Sequence, residues 1–146
     1  MANLKELVER GNKLFNAHDV DGVLDLYAPH AELHASGGMV AKGRSEIKRF
    51  TQSWIQGFPD VKLRTERLLV SGSTVIEEGI FTGTHTGAFP TPAGDLPPTG
   101  RRVEGPYIDI FDFEGETIVR DRLVFDRLDL MEQLGLAPVP AGAAAR

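Results

Sequence analysis

The chain contains no cysteine. Disulfide frameworks, thiolate nucleophiles and sulfur-ligated metal sites are thereby excluded. Nor is there a basic excess: 16 Lys and Arg stand against 21 Asp and Glu, a formal net charge of -5 with no block of like charge. Phosphate binding wants a basic face, so nucleic acid is not an expected partner. No long apolar run occurs and the N-terminus has no signal-peptide pattern, which sets the expectation of a cytoplasmic protein with no membrane segment. Also missing are a Gly-rich phosphate loop, a metal-spaced histidine pair, a Ser/His/Asp order and any internal repeat. Neither a metal nor a cofactor is expected from the motifs.

What is present describes one ordinary soluble domain. The chain has 146 residues, 41% of them hydrophobic and 25% charged, enough for a sizeable core. Leu4, Leu7, Val8, Leu14 and Phe15 recur at helical spacing and predict a helix over 2–17. After the break at His18 to Gly22, the residues Val23, Leu24, Leu26 and Tyr27 predict a short second helix ended by Pro29. Ala31 to Ala35 reads as a strand. Gly43-Arg44-Ser45 opens a third helix whose stripe includes Ile47, Phe50, Trp54, Ile55 and Phe58. Strands follow over 61–70 and 74–86, joined by Ser71-Gly72-Ser73. The Pro- and Gly-rich stretch 87–100 reads as a lid or mouth of a site, since solvent would waste Phe89 and Leu96. A final hairpin runs from Arg101 to Asp126 and a short helix ends near Gly135. The expected fold is α+β, a strongly bent, mostly antiparallel sheet against three N-terminal helices plus a short C-terminal helix. The expected domain spans 1–136, with a mobile tail over 137–146.

The final hairpin carries the chemistry. Asp109 and Asp121 lie mid-strand, where aspartate is disfavoured. A three-residue loop of Phe113, Glu114 and Gly115 places only the glycine in the left-handed region, and it pairs Asp109 with Val119 and Tyr107 with Asp121. Strand alternation then puts Tyr107, Asp109, Phe111, Val119, Asp121, Leu123 and Phe125 on one face, the two acids diagonal at roughly 7 to 8 Å. Two acids on an aromatic face are the means by which a protein keeps a general acid or base near neutral pH. The alternative is an ion-pair lattice with Arg101, Arg102, Arg120 and Arg122. Asp121 leads, because Val119 and Leu123 beside it are apolar. His34 and His85 stand at strand ends as candidates to hydrogen-bond a substrate oxygen, although a lone histidine is more often a surface or satisfied residue. Trp54 and Phe58 are core residues or walls of an apolar pocket. A two-carboxylate glycosidase is disfavoured, since a sugar cleft wants polar lining.

Several strings carry a resemblance: Phe81-Thr82-Gly83-Thr84-His85-Thr86-Gly87, Leu96-Pro97-Pro98-Thr99-Gly100-Arg101-Arg102-Val103, the Gly115 turn, and Asp126 with Leu130-Met131-Glu132-Gln133-Leu134-Gly135. With the opening helix and Leu26 to His34, they resemble the SnoaL-like polyketide cyclase family of the nuclear transport factor 2-like superfamily, over residues 4 to 136. The resemblance implies a cone-shaped α+β barrel around an apolar pocket, and a homodimer formed through the outer sheet face. It also implies cofactor-independent acid/base chemistry, in the best-known members an intramolecular aldol ring closure with an aspartate on the last long strand. Counted back from Leu134-Gly135, the cyclases' acid falls near Leu123, between Asp121 and Asp126. The related ketosteroid isomerases keep a base after the second helix, where this chain has Ala35 beside His34.

The sequence therefore points to a pocket enzyme of cyclase or isomerase type, acting on a small hydrophobic carbonyl or polyketide-like compound. Asp121 is the expected acid/base, Asp109 the group that tunes it or shares its proton, and His34 or His85 the substrate-oxygen partner. Trp54, Phe58, Phe89, Tyr107, Leu123 and Phe125 are the expected walls. The alternatives are a non-catalytic binding or protein-interaction module, and an epoxide hydrolase-like enzyme. The last needs an inward arginine, which the faces of Arg120 and Arg122 do not predict.

Overall fold

The computed structural model of the chain describes residues 3–91 and 93–137. The element order is α1 (Leu4–Asn16), α2 (Val20–Leu24), β1 (Tyr27–Ala35), β2 (Met39–Lys42), α3 (Gly43–Gly57), β3 (Lys62–Ser71), β4 (Thr74–Thr84), β5 (Arg102–Glu114), β6 (Thr117–Phe125) and α4 (Arg127–Gln133). The six strands form one sheet in the order β2-β1-β6-β5-β4-β3, antiparallel except where β1 runs parallel to β6. This is the expected α+β class. The mobile tail expected over 137–146 lies, beyond Ala137, outside the described residues.

Local chemistry sets the helix starts. Asn3 accepts from the Glu6 amide at 3.3 Å, Asp19 from the Gly22 amide at 2.9 Å, and Asp126 from the Asp129 amide at 2.9 Å. Helix α1 packs on β3, α3 on β1, and α2 bridges α1 and α3, so the three helices cover one face of the sheet. The main core joins Val8, Leu24, Leu26, Ala31, Leu33, Ile47, Val75, Phe111, Phe113 and Ile118. A second cluster of Phe58, Val61, Val103 and Leu134 closes the other end.

Two local expectations are corrected. Helix α2 stops at Leu24, and Tyr27 opens strand β1 instead of ending a helix. The physical reason is Pro29, whose ring disfavours helical backbone at Ala28 and pushes the segment into extended structure. The β1–β6 pairing shifts register between Tyr27 and Glu32, around the proline that has no N–H to give. At the last hairpin, the turn is Gly115-Glu116 and Glu114 pairs with Thr117. Gly115 takes the first turn position with φ of 59°, so glycine absorbs the positive φ and Glu114 stays in the strand.

The hairpin register consequently moves. Tyr107 faces Phe125, Asp109 faces Leu123 and Phe111 faces Asp121, with a bulge after Asp112. The displacement from the expected pairing is an even number of residues, so Asp109 and Asp121 remain on one face and remain diagonal. The bulge does exchange one neighbour: Ile118, not Val119, joins the inner lining.

Gly79 on β4 is opposite Tyr107 on β5, and a Cβ at Gly79 would run into the Tyr107 ring. The missing side chain is what lets the ring lie flat across β4. Gly79→Ala is expected to cost about 1–3 kcal/mol by overpacking, read as a lower urea midpoint at unchanged m-value. A loss under about 0.5 kcal/mol, the range of an indifferent surface change, would contradict the close approach.

Candidate functional site

The inner faces of β1, β3, β4, β5 and β6 with α1, α2 and α3 line a partly open pocket of about 130 Å³. Its wall is apolar: Phe15, Leu26, Leu33, Phe50, Trp54, Phe81, Phe111, Leu123 and Phe125 all contribute. Asp109 and Asp121 are the only charged side chains in the lining among the described residues, and no Arg, Lys or His joins them. Arg120 and Arg122 are exposed on the outer face, so the inward arginine needed for epoxide opening is missing from the lining.

Asp121 is 2% exposed, and its Oδ2 accepts a 2.6 Å hydrogen bond from the Tyr27 hydroxyl. Its Oδ1 has no well-formed bond of its own. Asp109 lies one diagonal away, within reach for the two carboxyls to share a proton. Burial pushes the Asp109 carboxyl well above the usual carboxylate range, the Asp121 charge pushes it further, and Glu77 adds a smaller push. Burial also raises Asp121, but hydrogen bonds from Asp109 and Tyr27 oppose the rise. Burial and mutual repulsion therefore disfavour two charges on the pair, and the stronger upward push falls on Asp109. Burial and the neighbouring Asp121 likewise hold the Tyr27 phenol in its protonated form.

The expected site residues separate into three groups. Asp109, Asp121, Tyr107, Trp54, Leu123 and Phe125 meet in the cavity. Phe58 and Phe89 do not reach its lining but pack behind Trp54, with ring centroids at 6.0 and 5.0 Å, and so fix the indole. His34 is corrected outright, since it points to the outer face while its neighbour Leu33 lines the cavity. It is paired instead with Glu32 at 3.2 Å, its side chain 32% exposed. His85 is fully buried but also outside the lining. Its Nδ1 accepts from the Thr99 amide at 3.2 Å and its backbone bonds Arg101 and Gly100, so it pins the base of the 87–100 loop. Burial pushes its imidazole down, which suits a neutral ring holding that loop.

Two polar partners escaped the sequence reading. Tyr27 was hidden by its assignment to a helix. Glu77 was hidden in the doublet Glu77-Glu78, which reads as solvent-facing. The usable signal was the alternation of Val75, Glu77, Gly79 and Phe81 on one side of β4. Glu77 is 0% exposed, directly across β4–β5 from Asp109, and accepts from Thr65 Oγ1 at 2.7 Å and from Asn12 Nδ2. Among the described residues no group of three or more His, Cys, Asp or Glu is arranged to hold a metal ion.

The raised carboxyls carry a definite sign for stability. Below about pH 4, the ordinary carboxylate value, folded and unfolded chains are both protonated at these sites. As pH rises, the unfolded chain releases protons that the folded chain retains at Asp109, so the folded state loses ground until the raised folded value is passed. Asp109→Asn removes that penalty. Its thermal midpoint relative to wild type is expected to climb between pH 4 and pH 8. A difference independent of pH, or one that falls, would show that Asp109 is not held protonated.

A family sequence model described as SnoaL-like polyketide cyclase matches residues 5–134. No curated protein matches the chain. Among solved structures, AclR of Streptomyces galilaeus superposes with a TM-score of 0.80 at 22% identity, covering 94% of this chain and 88% of that one. IdmH of Streptomyces antibioticus gives 0.76 at 22% identity, covering 92% and 99%. TsrD of Streptomyces laurentii gives 0.76 at 24% identity, covering 91% and 95%. At such identities the likeness speaks for the fold, and it agrees with the bent sheet and helical cover described above. No helix among the described residues is long and apolar enough to cross a membrane. The match along nearly the whole domain, together with the fold, makes the chain a member of the SnoaL-like polyketide cyclase family.

Proposed function

We propose that the cavity is a cofactor-independent acid/base site for a small, uncharged, hydrophobic carbonyl compound of polyketide type. The observation that carries the reading is the Asp109–Asp121 pair, the first half-buried and the second buried, in an apolar lining to which the described residues contribute no cation. An anionic ligand would meet the Asp121 charge in a low dielectric, so a neutral ligand fits best. Ionised Asp121 takes a proton from the carbon next to the carbonyl, and the C–H electron pair moves into an enolate. Protonated Asp109 supplies the hydrogen bond, and then the proton, for the enolate oxygen. Tyr27 holds Asp121 Oδ2, leaving Oδ1 as the oxygen that receives the carbon proton. The Trp54 indole N–H, buried without a partner, is a further donor for a ligand oxygen. In a cyclase the enol carbon attacks a second carbonyl carbon of the same molecule, the enol O–H proton returns to Asp109 as that C=O re-forms, and Asp121 passes its captured proton to the new alkoxide; in an isomerase Asp121 delivers that proton to a different carbon while Asp109 recovers its own.

Asp121→Asn should lower turnover of an enolisable polyketide-like substrate by about a hundred- to ten-thousand-fold. The folded state and ligand affinity should stay close to wild type, because the amide preserves the Tyr27 hydrogen bond. Unchanged turnover would remove Asp121 from the chemistry and leave a binding module.

The outer sheet face supports a homodimer. The registers set Leu69, Ile76, Ile110, Arg122, His34 and Val40 in one cross-strand row, with Ile108 beside Val124 in the next. Leu69, Val40, Ile108 and Val124 are 47%, 42%, 39% and 47% exposed, an apolar patch on a face the helices leave open. Light scattering should give twice the 15.9 kDa chain mass for wild type and a single chain mass for Ile108→Glu. A wild-type monomer would refute this use of the face.

A further inference from the structure

Among the described residues, Glu77 is the one fully buried acid that the proposed chemistry leaves idle. It lies beneath the cavity floor, fully covered, with α1 and β3 on one side and β5 on the other. A buried carboxyl in such a place either keeps its proton or is surrounded by donors. Here donors converge on one of its oxygens, Oε2, while Oε1 has no well-formed bond. Thr65 Oγ1 donates at 2.7 Å, Asn12 Nδ2 donates to the same oxygen, and the Tyr107 hydroxyl faces the carboxyl at a geometry short of a full hydrogen bond. Asn12 has only N–H groups to offer from that nitrogen, so the Glu77 oxygen that meets it is an acceptor. Burial leaves Glu77 raised above the usual carboxylate range, and all three of these contacts limit that rise by favouring the charged form.

The register gives this charge a consequence. Glu77 and Asp109 are direct partners across β4–β5, a spacing at which Cβ atoms stand about 4.5–5.5 Å apart. Two carboxylates at that separation, one fully buried and the other half-buried, resist ionising together. Glu77 has donors on α1 and β3, whereas Asp109 has the apolar cavity on one side and the Asp121 charge on the other. Of the two, Asp109 is the one that must stay neutral.

We infer that Glu77 is a resident buried anion of the site, a positioning residue that acts across the sheet to keep the proton on Asp109 and so fixes Asp109 as the acid and Asp121 as the base. Tyr107, which lines the cavity and faces Glu77, is the second arm of the same device. With its proton turned toward Glu77, the phenol presents an acceptor oxygen to the cavity. The groups that face Glu77 are thus Asp109 and Tyr107 on β5, with Asp121 on β6 and Tyr27 on β1 further along the same face, and neutral Asn12 and Thr65 from α1 and β3. No cationic side chain is among the groups that shift Glu77.

This inference deepens the acid/base reading and rests on it, but its test needs no substrate. Carboxyl-carbon NMR of the ligand-free protein reads Glu77 and Asp109 separately. In wild type at pH 7, Glu77 is expected to be ionised and Asp109 protonated. In Glu77→Gln, which keeps the shape and one acceptor oxygen, the Asp109 midpoint should fall by about one pH unit or more, tenfold in proton affinity. A merely structural Glu77 would leave that midpoint in place. An unmoved midpoint in a folded Glu77→Gln protein overturns the inference, as does a protonated Glu77 in wild type at pH 7. Should Glu77→Gln not fold, the wild-type reading decides alone, and Tyr107→Phe adds a second one: loss of the phenol should raise the Glu77 midpoint, and an unmoved Glu77 would count against the Tyr107 arm. Turnover of Asp121→Asn, by contrast, tests the acid/base reading without reference to Glu77.

Discussion

Three carboxyl groups sit on one inner face of a bent sheet, Glu77 and Asp121 fully buried and Asp109 half-buried. Glu77, Asp109 and Asp121 occupy β4, β5 and β6 in turn, so the strand registers bring them together without any loop taking part. Desolvation forbids three buried negative charges at this spacing. The rest of the inner face follows from how that constraint is met. Asn12 and Thr65 donate to Glu77, Tyr27 donates to Asp121, and burial together with the Asp121 charge pushes Asp109 toward its protonated form. Helix α1 is tied to this arrangement through Asn12, and β1 through Tyr27. The polar network and the packing of the helical layer on the sheet are one structure.

The apolar wall has its own logic. Trp54 is held by Phe50, Phe58, Phe81, Phe89 and Phe125, all with centroids between 5.0 and 6.3 Å. Phe89 comes from the 87–100 loop, which is bridged to itself through Phe89 and Leu96 and pinned at its base by His85. The loop thus contributes to the site through the indole, one layer back, and not by touching the cavity. An apolar wall of this kind keeps the local dielectric low, and a low dielectric is what raises the carboxyls in the first place.

Much of this was legible in the chain. The period-2 pattern around Asp109 and Asp121 fixed their common face, and that assignment survived a hairpin register wrong by several residues because the error was even. Trp54, Tyr107, Leu123 and Phe125 were readable for the same reason of periodicity. The failures have physical causes of equal clarity. Tyr27 was lost because Leu24, Leu26 and Tyr27 look helical until Pro29 is allowed to act on Ala28. Glu77 was lost because composition says that a Glu-Glu pair faces water, whereas the decisive donors, Asn12 and Thr65, stand 65 and 12 residues away in sequence. His34 was a candidate as a histidine at a strand end, and strand alternation beside Leu33 sends it to the outer face.

The central claim is that Asp109 and Asp121 hold one proton between them at neutral pH. The direct measurement is a carboxyl-carbon NMR titration of both residues in the native, ligand-free protein. Two well-separated steps are expected, the lower one reported mainly by Asp121 and the upper one, mainly by Asp109, well above the ordinary carboxylate value of about 4. Both residues titrating together at or below about 4 would mean two solvated or ion-paired carboxylates, and the account of the site would be wrong.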